Sequence, residues 1–489
     1  MYGISFTVGL IIYNIYFHPL ASIPGPKANA ATALPLFRAI LNGTLATDTQ
    51  KLHEKYGDIV RIAPNEVTFI HPNALKEIYS IRPGKPQRPK DQRHLSIGPN
   101  QIPSILRTDD QTHARYRRAL AHGFSESSLQ KQEVIVKGYV DLLVKRLRDL
   151  AQSGSATVDM TRWYNYTTFD IIGDLAFGES FGCLENSRYH FWVSVIFSHF
   201  RNAAWANVLR RVPFGPMLMN WIIPRKVRED KAVQNEMTKE KVKARIAHGD
   251  NGRPDFLSNV LKQPVGKGMT EDELVSNSYV LIIAGSETTA SLLSGVTYYI
   301  LTVPGVFDKL KAEIRGAFSS EEQITWTAVN QLKYTLAVLN EGLRMYPPAP
   351  YGFPRMVDGE GDWICGQWIP GGTAVGVPIL AAHMSSRNFK NPESFIPERF
   401  MGDVEYESDN RHAVQAFSVG PRDCLGRNLA YAEMRLILAR MIWNFDMELC
   451  ADSREWIKQL SFVVWDKGSL NVKLTPARNT IRESDQSVI

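Results

Sequence analysis

Cysteine is scarce in this sequence: 489 residues hold four, Cys183, Cys365, Cys424 and Cys450, and no two form a C-x-x-C pair. Such usage excludes a disulfide framework and a structural zinc site of paired cysteines, and it suits a reducing compartment. Linkers are missing too. No Pro-, Gly- or Ser-rich stretch divides the chain and no internal repeat runs through it, so a composition with 44% hydrophobic residues is expected to close one large core. Charge of one sign is never massed: 56 basic and 50 acidic residues are interleaved, for a net +6. That balance is compatible with a membrane surface or an acidic protein partner, and no nucleic-acid motif accompanies it.

Against this background the uncharged start stands out. Gly3 to Phe17, GISFTVGLIIYNIYF, would span about 22 Å as a helix, against a hydrocarbon core of roughly 30 Å. A secretory signal would carry a basic start and a small-residue cleavage site, and neither is clear here. Tyr13, Tyr16 and Phe17 suit an interfacial belt, and Pro19, Pro24 and Pro26 break the helix before Lys27. Residues 1–23 therefore read as a membrane anchor ahead of one domain, 24–489. The alternative is a buried helix at the edge of the core.

Further on, GDIVRIAPNEVTFI offers two β-rich runs, Ile59 to Ile62 and Val67 to Ile70, around a Pro64-Asn65 turn. Most of the remainder is helical in period. Leu425, Leu429, Ala432, Leu436, Ala439 and Trp443 recur at steps of three and four, which predicts an amphipathic helix starting directly after Cys424. A cysteine placed there lies at a helix N-terminus, where unpaired N–H groups and the helix dipole favour a thiolate. Gly420 and Gly426 allow tight turns around the sulfur, and Arg422 brings a positive charge. On these residues alone a nucleophile, a metal ligand and a small buried side chain all stay open.

The surrounding pattern narrows the choice. Phe417, Gly420, Arg422, Cys424 and Gly426 fit Phe-x-x-Gly-x-Arg-x-Cys-x-Gly at every specified position, and here the chain resembles the cytochrome P450 family of haem-thiolate monooxygenases. The resemblance implies a mainly α-helical fold with a small β region, and haem b as the cofactor. It implies Cys424 as the proximal iron ligand, Phe417 beside the sulfur, Arg422 at a haem propionate and Gly426 in the cofactor loop.

Other motifs occur in the family's order. In LNEGLRMYPP, Glu341 and Arg344 stand one helical turn apart, a spacing that alone more often marks a surface ion pair. Joined by Arg399 of FIPERF, they resemble the family's buried triad, whose implied role is to hold the cysteine loop. Upstream, a capping box of Thr270 and Glu273 opens a long helix that runs to Pro304-Gly305. Its AGSETT stretch, Ala284 to Thr289, matches the family pattern in which Glu287 and Thr288 deliver protons during oxygen activation. The structural alternative has Gly285 serving close packing while Ser286, Thr288 and Thr289 bond back to carbonyls one turn earlier. In HARYRRALAHGFS, Arg117 falls on the family's propionate-binding arginine. His113 stands where many members have tryptophan and still offers a hydrogen-bond donor. Arg355 matches the arginine that reaches the other propionate.

The resemblance is greatest to membrane-bound fungal members of secondary metabolism. It implies insertion of one oxygen atom from O2 into a lipophilic polyketide, terpenoid or alkaloid, with electrons from NADPH through an NADPH-cytochrome reductase. It also implies an endoplasmic reticulum location with the catalytic domain cytosolic. Arg115, Arg118, Arg427 and Arg435 flank the proximal side and suit an acidic reductase. Substrate walls are expected around Ser96 to Leu106, Phe197 to Trp221, Val280 to Ala284, Ala349 to Phe353 and Ser461 to Val464, apolar and aromatic stretches. Two other functions would keep Cys424: a haem-thiolate isomerase or dehydratase, and a non-catalytic haem sensor. Neither accounts for Gly285, Glu287 and Thr288 together.

Overall fold

A helix of 32 residues, Glu271–Thr302, crosses the interior of the computed structural model, which describes residues 2–94, 102–152, 154–249, 252–262 and 268–477. The expected capping box starts it: Thr270 Oγ1 accepts from the Glu273 N–H at 3.3 Å, and Glu273 Oε2 accepts from the Thr270 N–H at 2.9 Å. Its main neighbour is the helix Met160–Phe177, which is buried at every residue but Arg162. Gly285 permits that approach, because a Cβ there would meet Ile172 Cδ1 at 2.5 Å. Close packing is thus one role of this glycine.

The helix behind the cysteine loop spans Arg427–Asn444 and begins three residues after Cys424, not directly behind it. The expected apolar face is present, with Leu429, Leu436, Ala439 and Trp443 buried. Yet from Leu436 to Asn444 every residue is buried, because the helices Glu126–Leu150, Glu271–Thr302 and Val306–Ala317 surround this one. The expected amphipathic helix with one face on the core describes its first half, and the neighbours bury the second half all round.

The β region is small. Ile59–Ala63 and Glu66–Phe69 pair antiparallel with Ile59 opposite Phe69, close to the two expected runs. Ala374–Gly376 joins Glu66–Phe69 in parallel, and Arg355–Met356 closes this four-stranded sheet with Arg355 opposite Val375. A second sheet orders Ala156–Asp159, Asn471–Pro476 and Phe445–Leu449, tying the C-terminal segment to the helical core.

At the N-terminus the helix Tyr2–Ile12 leaves Ile4, Phe6, Val8 and Leu10 exposed, and a π-helical turn, Tyr13–Phe17, follows. The chain is extended at His18, ahead of Pro19. The second half is the part held to the domain by hydrogen bonds of a buried residue. Asn14 is buried, its Nδ2 donates to Ala31 O at 3.1 Å, and its carbonyl accepts from the buried Arg61 guanidinium at 2.9 Å. Among the described residues the one helix long and apolar enough to cross a membrane is Glu271–Thr302, and it is a core helix.

Candidate active site

The loop that carries Cys424 is held from behind by three charged side chains with no exposure, Glu341, Arg344 and Arg399. Arg344 meets Glu341 through two bonds, Nε to Oε2 at 2.8 Å and Nη2 to Oε1 at 2.7 Å, and Arg399 Nε reaches Oε1 at 3.1 Å. The remaining guanidinium hydrogens are spent on carbonyls of His383, Pro392 and Ser394 and on the Asp409 carboxylate. His383 carries the connection forward. Its Nδ1 donates to Arg344 O at 3.2 Å and its Nε2 accepts from the Gln415 N–H at 3.1 Å, two residues before Phe417. Burial pushes its pKa down to about 3, which keeps the ring neutral with the single proton on Nδ1.

Within the loop, the Cys424 N–H donates to Phe417 O at 2.9 Å, and the Phe417 ring lies 5.3 Å from that of Tyr431. Gly420 adopts φ +81, and a Cβ there would run into the Tyr79 carbonyl oxygen, so no side chain fits. Gly426 is different: its φ of −88 is open to any residue, so the expected tight turn is at Gly420 alone. The Cys424 side chain is accessible although protein atoms crowd around it, as at the bottom of a recess. Burial raises its pKa, against the lowering by the Gly426 N–H, Arg117 and Arg427, while Asp423 adds to the rise. The thiolate preference expected from the helix terminus is therefore outweighed by desolvation. A metal cation bound at the sulfur would supply the missing stabilisation.

Two arginines, a lysine and a neutral histidine gather near this loop. Arg422 is bound by Asp110 at 2.8 Å and by Thr108 O at 2.9 Å, yet its Nη1 is buried without a partner. Arg355 lies over the Tyr79 ring and leaves Nε unsatisfied. Lys90 pairs through its backbone with Arg355, and burial together with Arg422 and Arg355 pushes its pKa down to about 7. Burial and the charges of Arg422, Lys90 and Arg117 push His113 down to about 4. Mutual repulsion at this level, with orphaned guanidinium hydrogens, fits a missing dianion. The two carboxylates of a haem meet that demand. Arg117 stands slightly apart, donating to Asp423 O at 2.7 Å and paired with the Asp423 carboxylate.

The central helix carries the AGSETT stretch, Ala284 to Thr289. Val280, Ala284 and Thr288, spaced by four, lie along one flank of the helix and are accessible, as are Tyr279, Leu281, Ile283 and Gly285 beside them. Thr288 Oγ1 donates to Ala284 O at 2.6 Å, and Ser286 makes the same back-bond to Ile282 O at 2.5 Å. The helix stays unbroken through this stretch. Glu287, the preceding residue and about 100° around the helix from Thr288, is buried against Lys467 and Ser291.

Residues 24–474 match the family model described as Cytochrome P450. The chain belongs to the cytochrome P450 family. It is 45% identical to the cytochrome P450 monooxygenase astA of Talaromyces wortmannii over 97% of this chain and 96% of that one. It is 42% identical to averantin hydroxylase of Dothistroma septosporum, over 96% and 89%, and 41% identical to trichothecene C-15 hydroxylase of Fusarium sporotrichioides, over 97% and 96%. The P450 is accordingly a haem-dependent monooxygenase of the type found in fungal secondary metabolism, and the isomerase and sensor readings are not favoured.

Lys90 and His383 escaped the sequence reading of this P450, since an isolated lysine and an isolated histidine carry no local signal. Part of the expected substrate wall also moves. Ser96 to Gln101 lies outside the described residues, while Phe214, Met217 and Trp221 turn outwards, Trp221 being 90% exposed. Of the four expected reductase-facing arginines, Arg115 is spent on Glu273 at 2.5 Å and Arg435 on Asn330 at 2.5 Å. Arg118 and Arg427 remain exposed.

Proposed function

We propose that this P450 inserts one oxygen atom into a lipophilic polyketide, terpenoid or alkaloid, with Thr288 holding the water that delivers protons to the reacting centre and Glu287 replenishing it. The observation that carries the reading is the exposed Cys424 side chain in a loop built on the family's motif, together with the accessible Ala284 and Thr288 in the middle of the central helix. Haem, when bound, supplies the oxygen chemistry. Cys424 would hold its iron, Phe417 and Gly426 line the sulfur, and Arg422, Arg355, Lys90 and His113 take the propionates, with Arg117 fixing Asp423 beside them. Because the Thr288 hydroxyl donates its hydrogen to Ala284 O, its oxygen lone pairs are left to accept from a water. Apolar walls bind the substrate by excluding water, as an uncharged lipophilic molecule requires.

Thr288→Ala is expected to keep folding, haem content and NADPH consumption. Product per NADPH falls by about 10- to 100-fold as reducing equivalents leave as hydrogen peroxide. Thr289, buried at 3% exposure and turned about 100° around the helix, is the control. Full coupling in Thr288→Ala, or uncoupling in Thr289→Ala alone, sinks the assignment.

Electrons are taken from NADPH through an acidic reductase surface that meets Arg118 and Arg427, and residues 1–23 anchor the protein in the endoplasmic reticulum membrane. Exposed Ile4, Phe6, Val8 and Leu10 support the anchor, and the docking of Asn14 limits it. Deleting residues 2–11 should therefore move the protein from the membrane pellet towards the soluble fraction with haem content unchanged. Deleting through Leu20 also removes the carbonyls of Asn14 and Leu20 from the buried Arg61 guanidinium, and the thermal midpoint should drop. A pellet fraction unaltered by the shorter deletion would rule out the anchor.

A further inference from the structure

Glu287 and Lys467 form an ion pair with almost no exposure, 1% and 2% at their side chains. The lysine comes from the loop between the strands Val464–Trp465 and Asn471–Pro476, 180 residues away in sequence. Its Nζ also donates to Ser291 Oγ at 2.7 Å, and Ser291 in turn donates to Glu287 Oε1 at 3.4 Å. One carboxylate oxygen thus has both partners, while Oε2 is buried with none. A tie between loop and helix needs no charge, and apolar residues would make it at lower cost. Nor does a purely structural carboxylate leave one oxygen orphaned.

We propose that Lys467 is the positioning residue of the proton relay, its ammonium keeping the buried Glu287 carboxyl ionised and leaving Oε2 as the site that takes up and hands on a proton. The inference rests on the reading of Thr288 and Glu287 given above. In each cycle Oε2 gains a proton from a water, passes it to the water at Thr288 and returns to carboxylate; no electrons move through the pair. Five groups bear on this carboxyl. Asp466, itself paired with Arg201, raises its pKa, as burial does, and Lys467 and Ser291 lower it. Tyr346 and Tyr189 face the same charge and are raised by burial first and by this charge in addition. Lys467 is the one cation among them, so without it the carboxyl stays protonated and becomes a poor donor.

The test compares Lys467→Met, Lys467→Gln, Lys467→Arg, Glu287→Gln and the Lys467→Met/Glu287→Gln double variant as haem-loaded enzymes. Lys467→Met should lose coupling by about 10-fold, and Lys467→Arg should stay within about 2-fold of the parent. Removing the cation raises the Glu287 pKa, so the limb of the coupling profile that reports this group moves to higher pH. The infrared carbonyl stretch of a protonated, buried carboxylic acid should appear at neutral pH in Lys467→Met and vanish in the double variant. Lys467→Gln, which keeps a donor without the charge, should behave like Lys467→Met and serves if the methionine variant fails to fold. Full coupling in Lys467→Met and Lys467→Gln while Glu287→Gln uncouples overturns the role of Lys467 and leaves the Glu287 reading standing. Full coupling in Glu287→Gln overturns both. Uncoupling without the infrared band, or without rescue by arginine, reduces Lys467 to a structural tie and overturns the proposal.

Discussion

Glu341→Gln is expected to yield little or no haem-loaded protein, although the substitution changes one atom. Glutamine keeps the volume and one acceptor, but Arg344 and Arg399 then face each other without the carboxylate that both address. Arg399 still has Asp409; Arg344 is left with carbonyls alone. Breaking a buried pair by removing one partner costs about 3–5 kcal/mol, a large part of the roughly 5–15 kcal/mol that stabilises a typical domain. The Ile396 N–H, which donates to the same Oε1 at 2.8 Å, is disturbed as well. Haem absorbance per protein and the thermal midpoint measure the loss. Lys309→Ala provides the contrast, because Lys309 pairs with Glu398 at the surface, where about 0–1 kcal/mol is at stake. Equal haem content in both variants would mean that the cysteine loop does not depend on the triad.

That contrast also marks what a sequence can reveal here. Glu341 and Arg344 stand three residues apart, and spacing alone does not say whether such a pair is buried; the Arg399 motif does, because it brings a second guanidinium to the same carboxylate. The capping box at Thr270 and the Phe417-to-Gly426 loop were legible for a like reason: their contacts are local, so order along the chain fixes them. Lys467 reaches Glu287 across 180 residues, and Arg422 finds Asp110 across 312. No periodicity encodes those meetings. Desolvation is equally hidden. The helix terminus beside Cys424 argued for a thiolate, and only the packed structure shows burial winning over the Gly426 N–H and two arginines. Likewise the alignment of Val280, Ala284 and Thr288 follows from period, but which flank of that helix stays accessible and which meets Lys467 depends on the elements placed around it. Gly285 illustrates both sides: its packing role against Ile172 and its place beside the accessible Ala284 coexist in one residue.

Cys424→Ala is expected to fold and to lose the reduced carbon monoxide band from which the family takes its name. The backbone bond from Cys424 N–H to Phe417 O does not involve the side chain, and removing an accessible thiol leaves little packing to lose. The apoprotein midpoint should therefore move by no more than about 1 kcal/mol equivalent, the ordinary scale of a single substitution. Haem retention should fall sharply, since the propionate cations remain but the ligand to iron does not. Cys424→His should restore some retention and shift the band to the position of histidine-ligated haem. The other cysteines offer no substitute. Cys183 is pushed up to about 12 by burial and Asp170, and Cys365 to about 12 by burial, Glu77 and Asp58, so each lies where a thiolate is disfavoured. Cys450 sits at the edge of the C-terminal sheet, its N–H on Asn471 O at 3.0 Å. An unchanged carbon monoxide band in Cys424→Ala would force the iron ligand to be sought outside the loop, and with it the meaning of the triad and of the cation cluster that converge on it.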